Sequence, residues 1–277
     1  MSTPEKAFGG VKSINRCQKV LRRRKVLFRT GLEKSVKLAS WNVGSLTGKS
    51  GELVETLERR GIDVCCIQET RWKGEGVRFI KGKDTKYKIF YIGSKEGQAG
   101  VAVLIRERWV DKVVEVKRIN SRLILVKLII GECLVSVISA YAPQAGRTEE
   151  EKDDFWEQLT GLCMTISDRE MIMIGGDLNG HVGERCESYE GVHGDYGFGS
   201  RNQEGVRILD FAAAMDMVVC NTLFKKEVNK LVTFSSGGRE TTVDYILTRR
   251  VSRHSVRSRD VKAIPGECCV SQQRLLV

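Results

Sequence analysis

Short apolar runs separated by polar turns recur along residues 36–277, and they predict many strands and few helices. Glycine, asparagine, serine or charged residues bound most of the runs, as expected of strands that end in turns. The strands expected from this pattern are VKLASWN (36–42), IDVCCIQ (62–68), YKIFYIG (87–93), AGVAVLI (99–105), RLILVKLII (122–130), LVSVISAY (134–141), MIMIGG (171–176), MVVCN (217–221), LVTF (231–234), TTVDYIL (241–247) and the start of VSQQRLLV (270–277).

Helical spacing of apolar residues appears at three places. In residues 50–61 an apolar stripe faces a row of glutamates, and a glycine ends the segment. Thr148 and Glu151 have the spacing of a capping box and predict the start of a second helix. Residues 206–215 predict a third helix, whereas residues 184–203 are rich in glycine and polar residues and predict a long loop.

This order of elements predicts two packed β-sheets with helices outside them. No linker or internal repeat divides the body of the chain. We therefore expect one domain over residues 36–277, preceded by a flexible tail over residues 1–35.

The positive charge of the chain lies mostly in that tail. The net charge is +11, and residues 1–37 contain 11 basic and two acidic residues, whereas the other 240 residues contain 35 basic and 33 acidic ones. A basic tail attracts polyanions and releases counterions from nucleic acid, although short basic segments are often only solvated leaders. The residues expected to contact nucleic acid or to direct nuclear import are Arg22, Arg23, Arg24 and Lys25.

The nine cysteines form no CxxC pair and no zinc-type spacing with histidine, so buried reduced thiols are the favoured interpretation. No apolar segment approaches the roughly 18 residues needed to cross a bilayer. The N-terminus also lacks the pattern of a secretory signal. We therefore expect an intracellular, nuclear protein without membrane contact, and we assume a monomer.

Polar residues end several of the predicted strands. Any one of them could close a turn, and a buried aspartate could be a satisfied core carboxylate. Together they predict a functional rim, because two packed sheets can collect strand ends at one edge. The residues expected on this rim are Asn42, Glu69, Tyr141, Asp177, Asn179 and Asp244.

Clustered carboxylates and amide oxygens favour a hard divalent cation such as Mg²⁺. Mg²⁺ keeps several waters and commonly binds together with phosphate groups of a substrate. The combination of such a cation with a carboxylate that activates water is typical of phosphodiester hydrolysis.

At these positions the chain resembles the endonuclease/exonuclease/phosphatase superfamily, which includes the abasic-site endonucleases. More narrowly, it resembles the endonuclease domain of RTE-type non-LTR retrotransposons and the host-resident craniofacial development protein 2-like proteins. The resemblance covers residues 36–277 and rests on LASWNVGSL, CCIQETRWKGEG, SAYAPQ, GGDLNGHVG, NTLF, TFSSGGRETTVDYIL and VSQQRLLV.

The resemblance implies a four-layer αββα sandwich of two mixed sheets with helices outside. It also implies phosphodiester hydrolysis of DNA with Mg²⁺ or Mn²⁺ and without a small-molecule cofactor. By resemblance, Glu69 binds the metal with Asn42 beside it, Asp177 positions and deprotonates water, Asn179 contacts phosphate and water, Tyr141 supports the scissile phosphate, and Asp244 orients a catalytic histidine. The glycines before Asp177 are expected to let backbone and phosphate approach.

The chain departs from the superfamily at the position of that histidine, which is Gln273 in this sequence. Glutamine donates a hydrogen bond but carries no positive charge and shuttles no proton. Loss of a positioned acid or charge donor typically costs roughly 10²–10⁴-fold in rate. His181, His193 and His254 are expected to be surface or loop residues and not replacements.

Three functions stay open at this level. The first is a weakened metal-dependent endonuclease that nicks DNA, and the second is an inactive relative that keeps the fold and binds metal and nucleic acid. The third keeps the chemistry on a lipid or inositol phosphate, but no amphipathic basic helix with aromatic anchors supports a membrane substrate. The chain also stops within the expected last strand, which suggests a shortened, stand-alone remnant of a retroelement.

Overall fold

The structure is a computed structural model that describes residues 36–250, 260–267 and 272–277. The predictions for the basic tail and for His254 lie outside these residues. The strands are β1 (Leu38–Asn42), β2 (Val64–Gln68), β3 (Glu75–Lys81), β4 (Lys86–Ile92), β5 (Val101–Arg106), β6 (Val113–Asn120), β7 (Leu123–Ile130), β8 (Cys133–Tyr141), β9 (Met171–Asp177), β10 (Met217–Val219), β11 (Phe234–Ser236), β12 (Arg239–Thr241), β13 (Asp244–Arg249), β14 (Ala263–Ile264) and β15 (Leu275–Leu276). The α-helices are α1 (Ser50–Arg59), α2 (Glu107–Val110), α3 (Glu149–Met164) and α4 (Gln203–Ala214), with 3-10 turns at Cys220–Thr222 and Val228–Lys230.

The strands form two large mixed sheets and one small hairpin. The first sheet has the order β14-β15-β1-β2-β5-β4-β3, and the second has the order β10-β13-β9-β8-β7-β6. The pairs β1–β2 and β8–β9 are parallel, and the other neighbours are antiparallel. Strands β11 and β12 pair only with each other.

Apolar side chains separate these elements into four layers. On the outer face of the first sheet, Leu53 and Leu57 of α1 pack in the same cluster as Trp41. Between the sheets, alternate residues of β5 and β7, such as Val103 and Val126, form a second cluster. A third cluster joins the outer face of the second sheet to α3 and α4. The predicted four-layer sandwich is confirmed.

A buried polar bridge joins the two sheets directly beneath the strand ends. The Nε2 of Gln68 on β2 donates to the Oγ of Ser139 (3.1 Å) and to the carbonyl of Gly175 (3.2 Å) in the second sheet. The hydroxyl of Ser139 donates in turn to the carbonyl of Ile67 (2.9 Å). Since a buried amide is costly to leave unpaired, these bonds favour one relative position of the two sheets.

Three edge strands, β3, β6 and the two-residue β14, were not predicted from the sequence. Most residues of β3 and β6 are exposed or half-buried, so neither strand has the apolar run that marks the central strands. The late hairpin also differs from the prediction, because TTVDYIL is split between two strands. The Thr233 hydroxyl accepts hydrogen bonds from the backbone N–H groups of Val243 and Asp244, both at 3.1 Å, and separates β12 from β13.

Helix α3, the second of the three predicted helices, begins as predicted, with the Thr148 side chain accepting a hydrogen bond from the N–H of Glu151. No helix in the described part of the chain is long and apolar enough to cross a membrane.

Candidate active site

The ends of β1 and β2 bring Asn42 and Glu69 together. The two strands are parallel neighbours, and Asn42 lies beside Gln68 in their register. Glu69 directly follows and has a φ of 55°, in the left-handed region that residues other than glycine rarely adopt. This conformation turns the chain out of the strand at the residue whose carboxylate meets Asn42, and such strain is common at functional sites.

Asn42 links carboxylates from both sheets. Its Nδ2 donates to the Oε1 of Glu69 (2.9 Å) and to the Oδ2 of Asp177 (2.8 Å). Its Oδ1 accepts a hydrogen bond from the N–H of Gly44 (2.9 Å), which fixes the orientation of the amide. Because Asp177 ends β9 in the second sheet, these bonds assemble one site from two sheets.

Three strand ends of the second sheet meet at Asp177. Tyr141 lies beside it in the parallel register of β8 and β9, and Asp244 lies beside it in the antiparallel register of β9 and β13. The chain then turns at Asn179, which has a φ of 50°. The N–H of Asn179 donates to the Oδ1 of Asp177 (3.0 Å), and its Nδ2 donates to the carbonyl of Ala142 (2.9 Å).

The two glycines before Asp177 are required by packing. A Cβ at Gly176 would lie 2.2 Å from the carbonyl oxygen of Ala140, which is a clash. A Cβ at Gly175 would lie 3.1 Å from the side chain of Cys66 in the other sheet. The glycines therefore give room to the neighbouring strand and sheet, and neighbouring protein atoms occupy the space that the sequence argument had assigned partly to phosphate.

Burial changes the protonation of the two aspartates. Burial raises the pKa of Asp177 to about 6, although hydrogen bonds from Asn42 and the backbone of Asn179 lower it. Burial, followed by the charge of Asp177, raises the pKa of Asp244 well above its usual range. A base with a pKa near 6 is suited to taking a proton close to neutral pH.

Tyr141 and Arg122 form one side of the rim. The pKa of the Tyr141 hydroxyl is raised by burial and by the nearby charges of Glu69 and Asp177, so the hydroxyl stays protonated and can donate. The guanidinium of Arg122 lies 5.1 Å from the centre of the Tyr141 ring. It also donates to the carbonyls of Tyr141 (3.2 Å) and Ala142 (3.3 Å). These contacts position Tyr141 next to the carboxylates.

Asp244 and Gln273 are left with unpaired oxygens. Within the described residues, neither carboxyl oxygen of the fully buried Asp244 has a hydrogen-bond partner, and neither has the Oε1 of Gln273. The Nε2 of Gln273 lies 3.4 Å from the Oδ2 of Asp177, a long hydrogen bond. Gln273 thus reaches the site at the expected position, but it contacts Asp177 instead of Asp244.

His193 and His181 are loop residues with other partners. The His193 ring is buried, lies 3.1 Å from the carbonyl of Gly183 through Nε2 and accepts a hydrogen bond from the N–H of Asp195 through Nδ1. The Nδ1 of His181 lies 3.2 Å from the carbonyl of Thr242. His193 is therefore fully paired within its loop, and neither histidine contacts Asp177 or Asp244.

The oxygen ligands fit a magnesium site with few protein ligands. Among the described residues, no three histidine, cysteine, aspartate or glutamate side chains form a metal cage. The expected cluster of three carboxylates is instead two, from Glu69 and Asp177, with Asp244 buried beside Asp177. Two carboxylates suffice for Mg²⁺, which usually keeps several waters. The amide of Asn42 presents its nitrogen here, so binding through its oxygen requires a half-turn of the side chain.

Three neighbours of the site were missed by the sequence argument. Arg71 pairs with the Oε2 of Glu69 (3.1 Å), and Arg122 supports Tyr141. Asn221 donates to the carbonyl of Asp244 (2.9 Å) and accepts from the N–H of Ile246 (3.0 Å), so it fixes β13. Asn221 lies in NTLF, a stretch that carried the resemblance without an assigned role.

The fold and the site define the class of protein. The chain belongs to the endonuclease/exonuclease/phosphatase family, whose sequence model matches residues 39–264. Among individual proteins, it is 32% identical to craniofacial development protein 2 from Bos taurus over 244 residues, which are 87% of this chain and 40% of that protein. The chain thus spans about 40% of the length of this relative.

Solved structures share the fold at low sequence identity. The endonuclease domain of TRAS1, a telomere-specific non-LTR retrotransposon, aligns with a TM-score of 0.56 and 13% identity, over 87% of this chain and 96% of that domain. The 3' phosphatase NExo from Neisseria, bound to a product DNA hairpin, aligns with a TM-score of 0.61 and 15% identity, over 87% of this chain and 98% of that chain.

Replacing Asp244 with asparagine should stabilise the metal-free protein. The raised pKa means that the folded state holds its proton more tightly than the unfolded state. The natural chain therefore loses stability as pH rises from about 4, the ordinary aspartate value, through the folded pKa. At neutral pH we expect Asp244→Asn to raise the free energy of unfolding by about 1–3 kcal/mol.

The measurement is urea unfolding with a chelator at several pH values. The exposed Asp84→Asn is the matched control and should change little. A gain for Asp244→Asn that is as large at pH 4 as at pH 7 would contradict this origin of the effect.

Proposed function

We propose that this chain is a metal-dependent phosphodiesterase of the retrotransposon endonuclease type, which nicks DNA and is weakened at Gln273. The observation that carries the proposal is the pair of bonds from the Asn42 amide to Glu69 and Asp177. These bonds place the Glu69 carboxylate, a ligand of the kind that hard cations prefer, close to Asp177, whose pKa suits a general base.

Mg²⁺ or Mn²⁺ would be held by Glu69 beside Asp177. Asn42 would join as a ligand only by turning its oxygen toward the cation, which would give up its bonds to both carboxylates. When bound, the cation supplies positive charge to the phosphate and to the developing oxyanion. The carboxylates present only oxygen atoms, and Arg71 already pairs with the Oε2 of Glu69. A cation at Glu69 would therefore bind beside this guanidinium or in place of it.

The other residues act on water, phosphate and each other. Asp177 takes a proton from the water that attacks phosphorus, and the Asn179 backbone bond keeps its Oδ1 in place. The bond from phosphorus to the departing sugar oxygen breaks, and that oxygen takes its proton from solvent, because the neutral Gln273 supplies none. The protonated Tyr141 hydroxyl donates to a phosphate oxygen. The Asn179 amide can contact the same phosphate only after it breaks its hydrogen bond to the Ala142 carbonyl. If that hydrogen bond persists, Asn179 instead holds the loop that follows Asp177.

Gln273 weakens this site in two ways. It supplies a neutral donor where the resemblance expects an imidazole, so it adds no positive charge to the transition state. Its Nε2 also lies near Asp177 and stabilises the charged form of the base, which reduces its basicity. An inactive relative that keeps metal and nucleic-acid binding is the second candidate, and the unpaired Asp244 favours it, since its expected partner is missing.

DNA is the proposed substrate and the nucleus the proposed compartment. The excess of basic residues in the tail, including Arg22–Lys25, supports attraction to a polyanion. The structural relatives include a retrotransposon endonuclease domain and a phosphatase bound to DNA, which supports a nucleic-acid partner.

The experiment is nicking of supercoiled plasmid by the full chain with Mg²⁺, with Mg²⁺ and excess chelator, and by Asp177→Asn as the blank. Nicking above the blank that the chelator abolishes supports the endonuclease. Binding of plasmid and Mn²⁺ without nicking supports the inactive relative. Plasmid binding without any response to metal would contradict both.

Replacing Glu69 with glutamine should weaken metal binding. The change keeps the shape and removes the charge that a hard cation requires, so we expect the dissociation constant for Mn²⁺ to rise by at least about tenfold. The measurement is calorimetric titration with Mn²⁺. Glu96→Gln, in an exposed turn, is the matched control. Equal affinity in Glu69→Gln and the control would show that Glu69 is not a ligand.

A further inference from the structure

Strand β3 is the one long, regular sheet edge in the described chain. Of the other edges of the two large sheets, β14 has two residues, β10 has three, and β6 is interrupted by two irregularities in register. By contrast, the seven residues of β3 pair with β4 in unbroken register. Long, regular and exposed edges readily pair with another strand, and proteins usually shorten, bulge or cover them.

The orientation of the β3 backbone follows from Arg118. Its Nε donates to the carbonyl of Tyr91 (3.2 Å) and its Nη2 to the carbonyl of Gly76 (3.1 Å). Gly76 and Tyr91 are directly opposite each other in the ladder. One guanidinium can reach both carbonyls only if both point into the space between β3 and β4. Gly76 and Tyr91 are therefore a hydrogen-bonded pair, whose N–H and C=O groups face each other. The alternating residues then direct their N–H and C=O groups to the free edge, and these residues are Glu75, Val77, Phe79 and Lys81.

The same four residues carry exposed side chains on one face of the sheet. Val77 is 50% exposed and Phe79 is 49% exposed. The ammonium groups of Lys86 and Lys88 lie 5.0 and 5.5 Å from the centre of the Phe79 ring. The edge therefore has an apolar middle, with a negative charge at Glu75 and a positive charge at Lys81.

We propose that β3 of one molecule pairs antiparallel with β3 of a second copy, with the two-fold axis at Arg78. In this register Glu75 lies opposite the second copy's Lys81, and Val77 lies opposite its Phe79. Both sequence positions in each pair direct backbone groups outward, so the ladder can form without rearrangement. The contact is isologous, which closes at a dimer and joins the two seven-stranded sheets into one.

Charge selects this register over its neighbours. A shift of two residues in one direction sets Glu75 opposite Phe79. The opposite shift sets Lys81 opposite Val77 and leaves Glu75 to face Lys83, which lies beyond the end of the strand, so both ion pairs within β3 are lost. The two copies of Arg78 face each other across the axis, which opposes association. Each Arg78 is held away, because its guanidinium stacks on Trp72 of its own molecule at 3.6 Å from the ring centre.

The dimer is expected to be weak, because a single seven-residue edge buries less surface than a standard stable interface. Its formation differs from the monomer assumed from the sequence. It does not depend on catalysis, since β3 contributes no residue to the candidate active site.

The test is sedimentation velocity of the full chain, freed of nucleic acid, over three decades of concentration. The natural chain should show a concentration-dependent dimer. Glu75→Lys and Lys81→Glu should each raise the dimer dissociation constant by about tenfold, because two attractive pairs become repulsive. An equimolar mixture of the two variants should recover the dimer, because every pair is again opposite in charge.

Matched controls are Glu157→Lys on α3 and Lys225→Glu in the loop before β11, which make the same charge changes at exposed positions on other elements. They should leave the dimer constant unchanged. A natural chain that stays monomeric at every concentration overturns the proposal. A dimer that persists equally in both single variants, or a mixture no stronger than its components, places the interface elsewhere and also overturns it.

Discussion

Asp177→Asn should reduce metal-dependent nicking of plasmid DNA by at least about 10³-fold, to the level of plasmid incubated without protein. Asparagine keeps the shape, but its single oxygen can accept from Asn42 or from the N–H of Asn179 and not from both, and it cannot accept a proton from water. Burial has raised the pKa of Asp177 to about 6, so the natural carboxylate is both ionised and sufficiently basic near neutral pH. Nicking by the natural chain should accordingly fall as pH drops through the pKa of Asp177, which a bound cation would move below its metal-free value of about 6.

The measurement is the initial rate of conversion of supercoiled to open-circular plasmid. Asp168→Asn is the matched control, because the Asp168 side chain is fully exposed and lies in a loop between α3 and β9. The fold of Asp177→Asn should be intact, since the variant removes a buried charge. Equal rates for Asp177→Asn and Asp168→Asn would refute the role of Asp177 as the base.

Gln273→His should increase the rate of nicking by about 10²–10⁴-fold. The Nε2 of Gln273 already lies 3.4 Å from the Oδ2 of Asp177, and the neighbouring Asp244 has two unpaired buried oxygens. An imidazole at this position gives these carboxyls a cationic partner and gives the phosphate a charged donor. The gain should be largest at a pH where the imidazole is protonated and Asp177 is ionised.

Gln272→His is a closely matched control. Gln272 is adjacent and exposed, and its side chain donates to the hydroxyl of Ser236 away from the carboxylates. It should leave the rate unchanged. Equal rates for Gln273→His and Gln272→His would contradict the prediction. They would mean that Gln273 serves as well as a histidine or that position 273 does not contribute to catalysis.

The sequence predicted the central strands and the three longer helices because burial imposes a regular apolar pattern, whereas the four-residue α2 was not predicted. Strands such as β2 and β7 have both faces covered and read as apolar runs. The edge strands β3 and β6 were not predicted because their residues are exposed or half-buried, so their sequences mix apolar and polar residues without a continuous apolar run. The split between β12 and β13 depends on the hydroxyl of Thr233, a contact that no periodicity reveals.

The candidate site was predictable in its members and not in its bonds. Asn42 and Asp177 stand at strand ends, where polar residues interrupt apolar runs. Which atom of Asn42 faces the carboxylates depends on the backbone N–H of Gly44. Arg71 reaches Glu69 only because of the local backbone turn after β2. Asn221 reaches Asp244 only because strands far apart in the sequence lie side by side. The roles of these residues in catalysis stay predictions.

The bonds of Asn42 have a consequence for how function is lost. Glu69 belongs to one half of the sandwich and Asp177 to the other, 135 positions from Asn42 in the chain. A heated or acidified molecule whose sheets have loosened could keep its strands and helices and yet have no active site. Catalysis would then be a more sensitive reporter of native docking than any spectrum of secondary structure. Neither half of the sandwich, made alone, would carry a partial activity.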